Sequence, residues 1–379
     1  MSLLLAILFI SLFVSAIVRG SFSYGKADYS FQEHPVQFVI VLTFILGVSV
    51  FCFYRFLVDI ELILAHCMIL RKPDFYDRFK CIASRCSDTC CVGWEIDVDE
   101  NSQKAYRKVT GAFGDKLRAN IEDGHFKLLP HDRCPFLDKE NLCEIYAHLG
   151  EGALCDIRRE HPRFVEVYGD IMERGLGLCC EEAARLLLTG NGSLTFTTEE
   201  CNEPEDELDD DDREIRDEVL YAREQIFATL ADKTLTFQEK LHNIFGYTDE
   251  NPFAPLENAE AYLELLVKTE SFGPAWDEAL ARIKEKINTT LEDQGFFSET
   301  ESTRLLAYLI YRHYAKCLFE GREQGKLLFA LFFWNVARFF TKELGGKIGA
   351  VKILSRQLEY CEENMELIEK WLDGSTGIC

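Results

Sequence analysis

Positive charge is scarce in this chain: 41 lysines and arginines stand against 64 aspartates and glutamates in 379 residues, a formal net charge of -23 at pH 7. A nucleic-acid binder neutralises phosphates with clustered Lys and Arg, so this balance argues against one. The same charge would attract a basic protein partner. The plainer reading is a cytoplasmic protein kept apart by self-repulsion. Paired Cys-x2-Cys units, the usual halves of a tetrahedral zinc site, are missing. So is a strand leading into Gly-x-Gly-x-x-Gly: Gly175-Leu-Gly177 and Gly190-Asn-Gly192 are only fragments, and a Rossmann-type cofactor domain is not expected. The Cys-x3-Cys-x2-Cys spacing of radical enzymes is absent too, because Cys86-x3-Cys90 is followed directly by Cys91.

Cysteine itself is abundant. Of 15 in the chain, ten lie from Cys81 to Cys201, in the order Cys81-x4-Cys86-x3-Cys90-Cys91, then Cys134, Cys143 and Cys155, then Cys179-Cys180, and last Cys201. Thiolates are soft, strongly donating ligands, so such density means either a disulfide framework or a metal site. Disulfide scaffolds are short chains without a large core. Here 47% of 379 residues are hydrophobic, and long helical stretches follow the cysteines, so metal is favoured.

Residues 1–67 do not match the rest. Leu3 to Val18 is almost wholly apolar, and a second apolar run goes from Val36 to Phe53 with a mixed continuation to Leu64. Each approaches the ~17–25 residues that cross a bilayer as a helix, so one reading is a membrane hairpin with Arg55, Arg71 and Lys72 on the cytoplasmic side. A secretory signal fits less well, since no basic residue precedes Leu3. The other reading is upstream-translated sequence, with Met68 as the start. A membrane partner is expected only under the first.

Pro73 stops any helix arriving from that segment. Trp94, Ile96 and Val98 alternate with Glu95, Asp97 and Asp99, which predicts a short strand. Asn101 to Val109 and Lys116 to Glu122 read as helices. Then come Arg133-Cys134-Pro135-Phe136-Leu137, Cys143-Glu144-Ile145-Tyr146 and Cys155-Asp156-Ile157-Arg158-Arg159-Glu160-His161-Pro162-Arg163. With Asp88-Thr89-Cys90-Cys91, Gly93-Trp94-Glu95 and Gly175-Leu-Gly177-Leu-Cys179-Cys180-Glu181-Glu182, this order resembles the cysteine domains that chelate zinc or iron, and within them the flagellin lysine-N-methylase family. The resemblance is strong over Pro73 to Leu188 and loose beyond.

The resemblance implies a [4Fe-4S] protein that moves a methyl group from S-adenosyl-L-methionine to lysines of flagellin, the protein of the bacterial flagellum. The residues by themselves reach only a thiolate-rich metal site. One cubane needs three or four thiolates, which the chain supplies. Adjacent side chains diverge on a helix or strand, so one of each Cys-Cys pair is expected at a given metal. The first expected ligands are Cys86, Cys90, Cys143 and Cys155; Cys81, Cys91, Cys134, Cys179 and Cys180 are candidates for the same shell or a second centre. Free structural cysteine is the alternative for each. Cys52, Cys67, Cys201, Cys317, Cys361 and Cys379 stand alone and read as non-ligands.

Arg158, Arg159 and Arg163 suit a methionine carboxylate, or else pair with nearby acids. Glu95 and Asp97 would orient a lysine ammonium or take its proton, or else are solvated surface. His161 is a candidate base, or a structural residue before proline. The expected fold is mainly α: an apolar segment (1–67), a cysteine-rich metal-binding domain (68–200), an acidic linker (201–216) containing Pro204 and Asp209 to Asp212, and a helical domain (217–379) packed on the cysteine domain. Its helical stripes are Val219 to Leu230, Leu263 to Val267, Leu305 to Tyr314, Lys326 to Glu343 and Val351 to Leu372, with Gly345-Gly346 as a break. Tyr308, Tyr311 and Tyr314 either wall a cavity for a lysine stem or pack in the core. Three functions compete: a protein-lysine methyltransferase, a non-enzymatic metal-chelating or redox-sensing module, and a membrane-anchored scaffold.

Overall fold

The computed structural model describes residues 2–24, 27–65, 68–87, 89–93, 95–130, 132–201, 208–246, 259–287 and 297–375. Trp94, Cys67, Pro204 and Cys379 lie outside them. Helices dominate, as expected. The chain divides into two compact units, one formed mainly by Met1–Ile69 and one by Leu70–Glu199 with Glu207–Cys379.

In the first unit, helix α1 (Ser2–Arg19) leads into a hairpin of β1 (Ser21–Tyr24) and β2 (Ala27–Ser30), and then into the long α2 (Pro35–Ala65). The two helices pack against each other. Pro35–Leu57 within α2 is long and apolar enough to cross a membrane, and only 17% of its most apolar stretch is buried.

The second unit is built on a small sheet. Its strands β3 (Met68–Pro73), β6 (Arg163–Tyr168), β7 (Ile171–Leu176) and β8 (Phe196–Cys201) run in the order β6-β7-β3-β8, and β4 (Ile121–Glu122) with β5 (His125–Phe126) make a separate short pair. Strands β6 and β7 are antiparallel and in register from Arg163 opposite Leu176 to Tyr168 opposite Ile171. Around the cysteines the helices are short: α3 (Glu100–Arg107), α4 (Gly111–Ala119), α5 (Glu144–Leu149), α6 (Asp156–Glu160) and α7 (Glu181–Leu188). Then follow α8 (Asp210–Ala231), α9 (Phe237–Phe245), α10 (Ala259–Leu266), α11 (Pro274–Ile287), α12 (Glu299–His313), α13 (Cys317–Glu320), α14 (Glu323–Phe339), α15 (Gly346–Leu354) and α16 (Glu362–Ser375).

Three expectations change. The alternation at 94–99 buries Ile96 and Val98 and exposes Glu95 and Asp97, yet only an isolated bridge forms, between Asp97 and His125. A two-residue partner strand is too short to extend the ladder. The acidic run Asp209 to Asp212, expected as a flexible linker, opens α8 instead: Asp209 caps the helix by accepting from the Asp212 amide at 2.9 Å, where the positive end of the helix dipole favours carboxylates. The stretch Val351 to Leu372 is two helices rather than one, parted by a π-helical turn at Ser355–Glu359.

Helices α12 and α14 form the centre, buried on every side from Ser302 to His313 and from Leu328 to Ala337. The same core takes in Phe75, Leu176, Leu178 and the buried face of α7, so residues expected in a cysteine domain and in a helical domain share one interior. Tyr308 donates to the Leu176 carbonyl at 2.8 Å, and Tyr311 contacts the carbonyls of Arg71 and Arg174 at 2.9 and 3.0 Å. Tyr314 bonds to Glu323. These three rings are packed and satisfied, which is the core reading.

Beneath the sheet, Arg223 donates to Glu173 at 2.8 Å, with exposures of 0% and 1%. Removing one member of such a pair strands the other charge in a dry interior. Glu173→Ala should therefore lower unfolding stability by about 3–5 kcal/mol, and Glu173→Ala with Arg223→Met should recover part of it, both read from guanidinium denaturation.

Candidate metal centre

Loop 89–93 is tied to the strand-like segment 132–134 by the Val92–Arg133 bridge, by Gly93 N to Asp132 O at 3.0 Å and by Cys134 N to Cys91 O at 3.0 Å. The following turn is closed by the Leu137–Cys143 bridge and by the Asp138 carboxylate accepting from Leu142 N at 2.8 Å. Arg133 clamps it through Asn141 and the Asp138 carbonyl, both at 2.6 Å. Cys143 and Cys155 then take the extended cap positions of α5 and α6.

The result is a second, smaller interior in which Cys91, Cys134 and Cys155 are buried with Ile96, Val98, Tyr106, Phe126 and Phe136, and Cys143 packs against them. Cys90 stands at its exposed edge. The thiols of Cys90 and Cys91 hydrogen-bond to each other. This corrects the expectation that adjacent cysteines diverge: residues 90–91 form a turn, to which the alternation of helix or strand does not apply. At Cys179-Cys180 the two side chains part. Cys179 meets the Tyr360 hydroxyl, whereas Cys180 caps α7 and lies near enough to Cys86 and Cys90 to feel their charge.

The electrostatics separate these thiols. The hydrogen bond from Cys91 pulls Cys90 down to about 6, helped by the charge of Arg158, while the same bond and burial push Cys91 up. Burial raises Cys134, Cys155 and Cys180 to about 11 and Cys179 to about 12. Burial thus favours the neutral thiol at Cys91, Cys134 and Cys155, while Cys90 at the rim favours the thiolate. Arg158 sits among them. It donates to the Cys90 carbonyl, influences Cys91, Cys134 and Cys155, and keeps a buried Nε without a hydrogen-bond partner.

Such a donor set fits a thiolate-bound metal group: several thiols in one pocket, burial that makes bare thiolates costly, and one cation able to offset negative charge. A mononuclear tetrahedral site at a Zn–S distance of ~2.3 Å would need sulfurs ~3.8 Å apart. Among the described residues, the one group of three metal-ligand types with atoms within 4.8 Å of one another is Glu270, Cys361 and Glu363, outside this interior. The gathered sulfurs are therefore more widely spaced than single-zinc chelation requires. Cys361, expected to stand alone, donates to Glu363 at 3.4 Å.

The remaining candidates disperse. Cys86 donates to Glu181 at 3.7 Å beside Ser87, and Cys81 is exposed. Of the three arginines, only Arg158 reaches the thiols. Arg159 pairs with Asp156 at the surface, and Arg163 lies 5.3 Å over the Phe79 ring. Glu95 and Asp97 are exposed around His125, with Asp97 2.7 Å from its Nδ1. They occupy the face opposite Ile96 and Val98, away from the cysteine interior. His161 is near Arg158 and Arg356; burial and these two positive charges lower it to about 4. Cys317 begins α13, half-buried.

Two residues escaped the sequence reading, Arg356 and Tyr360, both delivered by the interruption between α15 and α16. Arg356 donates to the Val92 carbonyl, and a side chain on Gly93 would overlap its guanidinium. Tyr360 meets Cys179 and carries Arg312 4.8 Å over its ring; a side chain on Gly177 would overlap its hydroxyl. The glycines were the available signal. They are approach points for an arginine and a tyrosine, not pieces of a nucleotide loop.

Fold and site define a helical protein with a buried multi-cysteine centre. Sequence comparison places it more narrowly: the chain is 30% identical over 140 residues to the Lysine-N-methylase of Salmonella typhimurium, covering 33% of this chain and 34% of that protein. It is 29% identical over 138 residues to the Flagellar biosynthetic protein FliU of Salmonella muenchen, covering 33% of this chain and 80% of that one. A second Lysine-N-methylase, from Salmonella choleraesuis, matches at 30% over 140 residues. The match thus spans about a third of the length of the lysine-N-methylases. Over that third, this chain is similar to proteins named Lysine-N-methylase. No family model and no solved structure matches it.

Two measurements on metal-free protein check the electrostatics. At pH 7, iodoacetamide should modify Cys90 well before Cys134 or Cys155, as read by peptide mass spectrometry; equal rates would contradict the thiol–thiol bond. His161 titrates near 6.5 when unfolded and near 4 when folded, so the unfolded state binds the proton first. Its contribution is whole above pH 6.5 and is lost as pH falls toward 4. In His161→Gln the decline of the unfolding midpoint across that window should be shallower.

Proposed function

We propose that this protein is an S-adenosyl-L-methionine-dependent protein-lysine N-methyltransferase acting on flagellin, with an iron-sulfur cluster held by its cysteines. The observation that carries the reading is the gathering of Cys91, Cys134, Cys143 and Cys155 in one interior, with Cys90 at its edge and Arg158 near Cys90, Cys91, Cys134 and Cys155, together with similarity to proteins named Lysine-N-methylase and Flagellar biosynthetic protein FliU. Three or four of those five thiols would hold the cluster, with Cys86 and Cys180 alongside. Bound there, a [4Fe-4S] cluster would supply iron among soft thiolates, at a potential set by nearby charge and hydrogen bonding. Arg158 would offset the negative charge of the thiolates, and its buried Nε–H is without a hydrogen-bond partner among the described residues. The aromatic and aliphatic wall of Ile96, Val98, Tyr106, Phe126 and Phe136 would exclude water.

In the transfer, the lysine amine lone pair forms the N–C bond as the S–C bond breaks. The sulfonium keeps those electrons as a thioether, and the amine proton leaves to solvent. The amine must be neutral when it attacks, so the rate should climb as pH moves from about 7 toward 9, limited by lysine's unperturbed pKa of ~10.4. The net charge of -23 would draw lysine-bearing protein over a distance, so the rate should fall as salt rises.

Anaerobically reconstituted protein incubated with flagellin should add methyl groups to lysine only when the cofactor is present, as read by mass spectrometry. Cys134→Ala and Cys155→Ala should each lose the cluster absorbance and most of the iron, while Cys317→Ala keeps both. Iron bound without cofactor-dependent methylation would leave a metal-chelating module as the better account, and full iron in the cysteine variants would overturn the ligand assignment.

A further inference from the structure

We infer that the α1–α2 hairpin is an integral membrane anchor that lies within a lipid bilayer. The argument is independent of the methyltransferase reading. No charged residue occurs between Met1 and Arg19, or between Pro35 and Arg55. The apolar side chains of these stretches point outward all round the helices. Ile7, Leu8, Val14 and Val18 on α1, and Ile40, Phe44, Val50 and Phe51 on α2, are each about half exposed or more. A helix that is apolar over most of its surface is buried in a core or in lipid, and these faces are exposed among the described residues of this unit.

Length selects the bilayer. The 23 residues of Pro35–Leu57 rise ~34 Å and the 18 of α1 rise ~27 Å, against a hydrocarbon core of ~30 Å. The ends carry the groups expected at an interface. Tyr54 and Arg55 close the apolar stretch of α2, and Arg19 closes α1, where a long basic side chain reaches the headgroups. The polar turn between the helices keeps its backbone paired, through the β1–β2 register and the Phe31 N to Gly20 O bond at 3.0 Å. Inside the hydrocarbon the helical amides are satisfied internally, and the Ser49 hydroxyl donates to the Ile45 carbonyl at 2.8 Å. The two helices pack against each other, and Ala16 on α1 with Phe38, Ile45 and Ser49 on α2 are buried; small residues such as Ala16 and Ser49 let helices approach where no hydrophobic force acts between them.

The test uses the full chain. Produced in bacteria, it should stay with membranes through alkaline carbonate extraction and float with them on a sucrose gradient, which separates it from aggregates. Single tryptophans are then introduced at Phe44→Trp, mid-span, and at Phe31→Trp, in the turn, and the protein is reconstituted in phosphatidylcholine vesicles with brominated acyl chains. The added fluorescence at position 44 should be quenched several-fold more strongly by bromines near the chain ends than that at position 31. Release by carbonate as a monomer, or as a discrete dimer sealing these faces against a second copy, would overturn the anchor. So would equal quenching at the two positions.

Discussion

Everything in the larger unit hangs on α12, a helix sealed from water that nevertheless carries two arginines, a histidine and three tyrosines in or just after it. Burying such groups is unfavourable unless each finds a partner, and the partners come from several separate parts of the chain. Arg304 reaches Asp74 and the Leu187 carbonyl; Tyr308 and Tyr311 reach carbonyls of the sheet; Arg312 and His313 share Glu359 at 3.3 and 2.7 Å. The helix is therefore a polar spine through an apolar core. Its hydrogen bonds fix the register of the sheet and the position of the turn after α15, and both lead directly into cysteine segments.

This arrangement explains why two interiors coexist. The large core is filled by aliphatic and aromatic side chains, with the ion pairs as internal struts. The small one around Phe136 and Tyr106 has fewer members, and four of them are cysteines. Cysteine packs there as a small hydrophobe while remaining a ligand, so the same residues close the pocket and define its chemistry.

How much of this could be read beforehand follows from the range of the interactions. The helical stripes and the break at Gly345-Gly346 were visible because periodicity is local. The motif order from Cys134 to Arg163 was visible because the cysteines and their turn residues are close in sequence. Caps were harder: Asp209 to Asp212 looks like a repelling run until the helix it opens is known. The pairing of Cys90 with Cys91 ran against a rule that holds only in regular structure. Arg356 and Tyr360 were out of reach, since their partners lie roughly 260 and 180 residues earlier and no spacing connects them. The arginine trio is spread over separate neighbours, because closeness in sequence does not aim three side chains at one point.

The π-helical turn at Ser355–Glu359 carries a consequence for how such a protein can change over time. It inserts one irregular step so that Arg356 lands on Gly93 and Tyr360 on Gly177. A residue gained or lost anywhere in that turn would rotate both side chains away from their glycines together. A larger residue at either glycine would likewise find its place taken. The cysteine stretches and this distant turn are thus interlocked parts, which cannot be exchanged piecemeal with a homologous chain; a working hybrid would have to inherit both from the same parent.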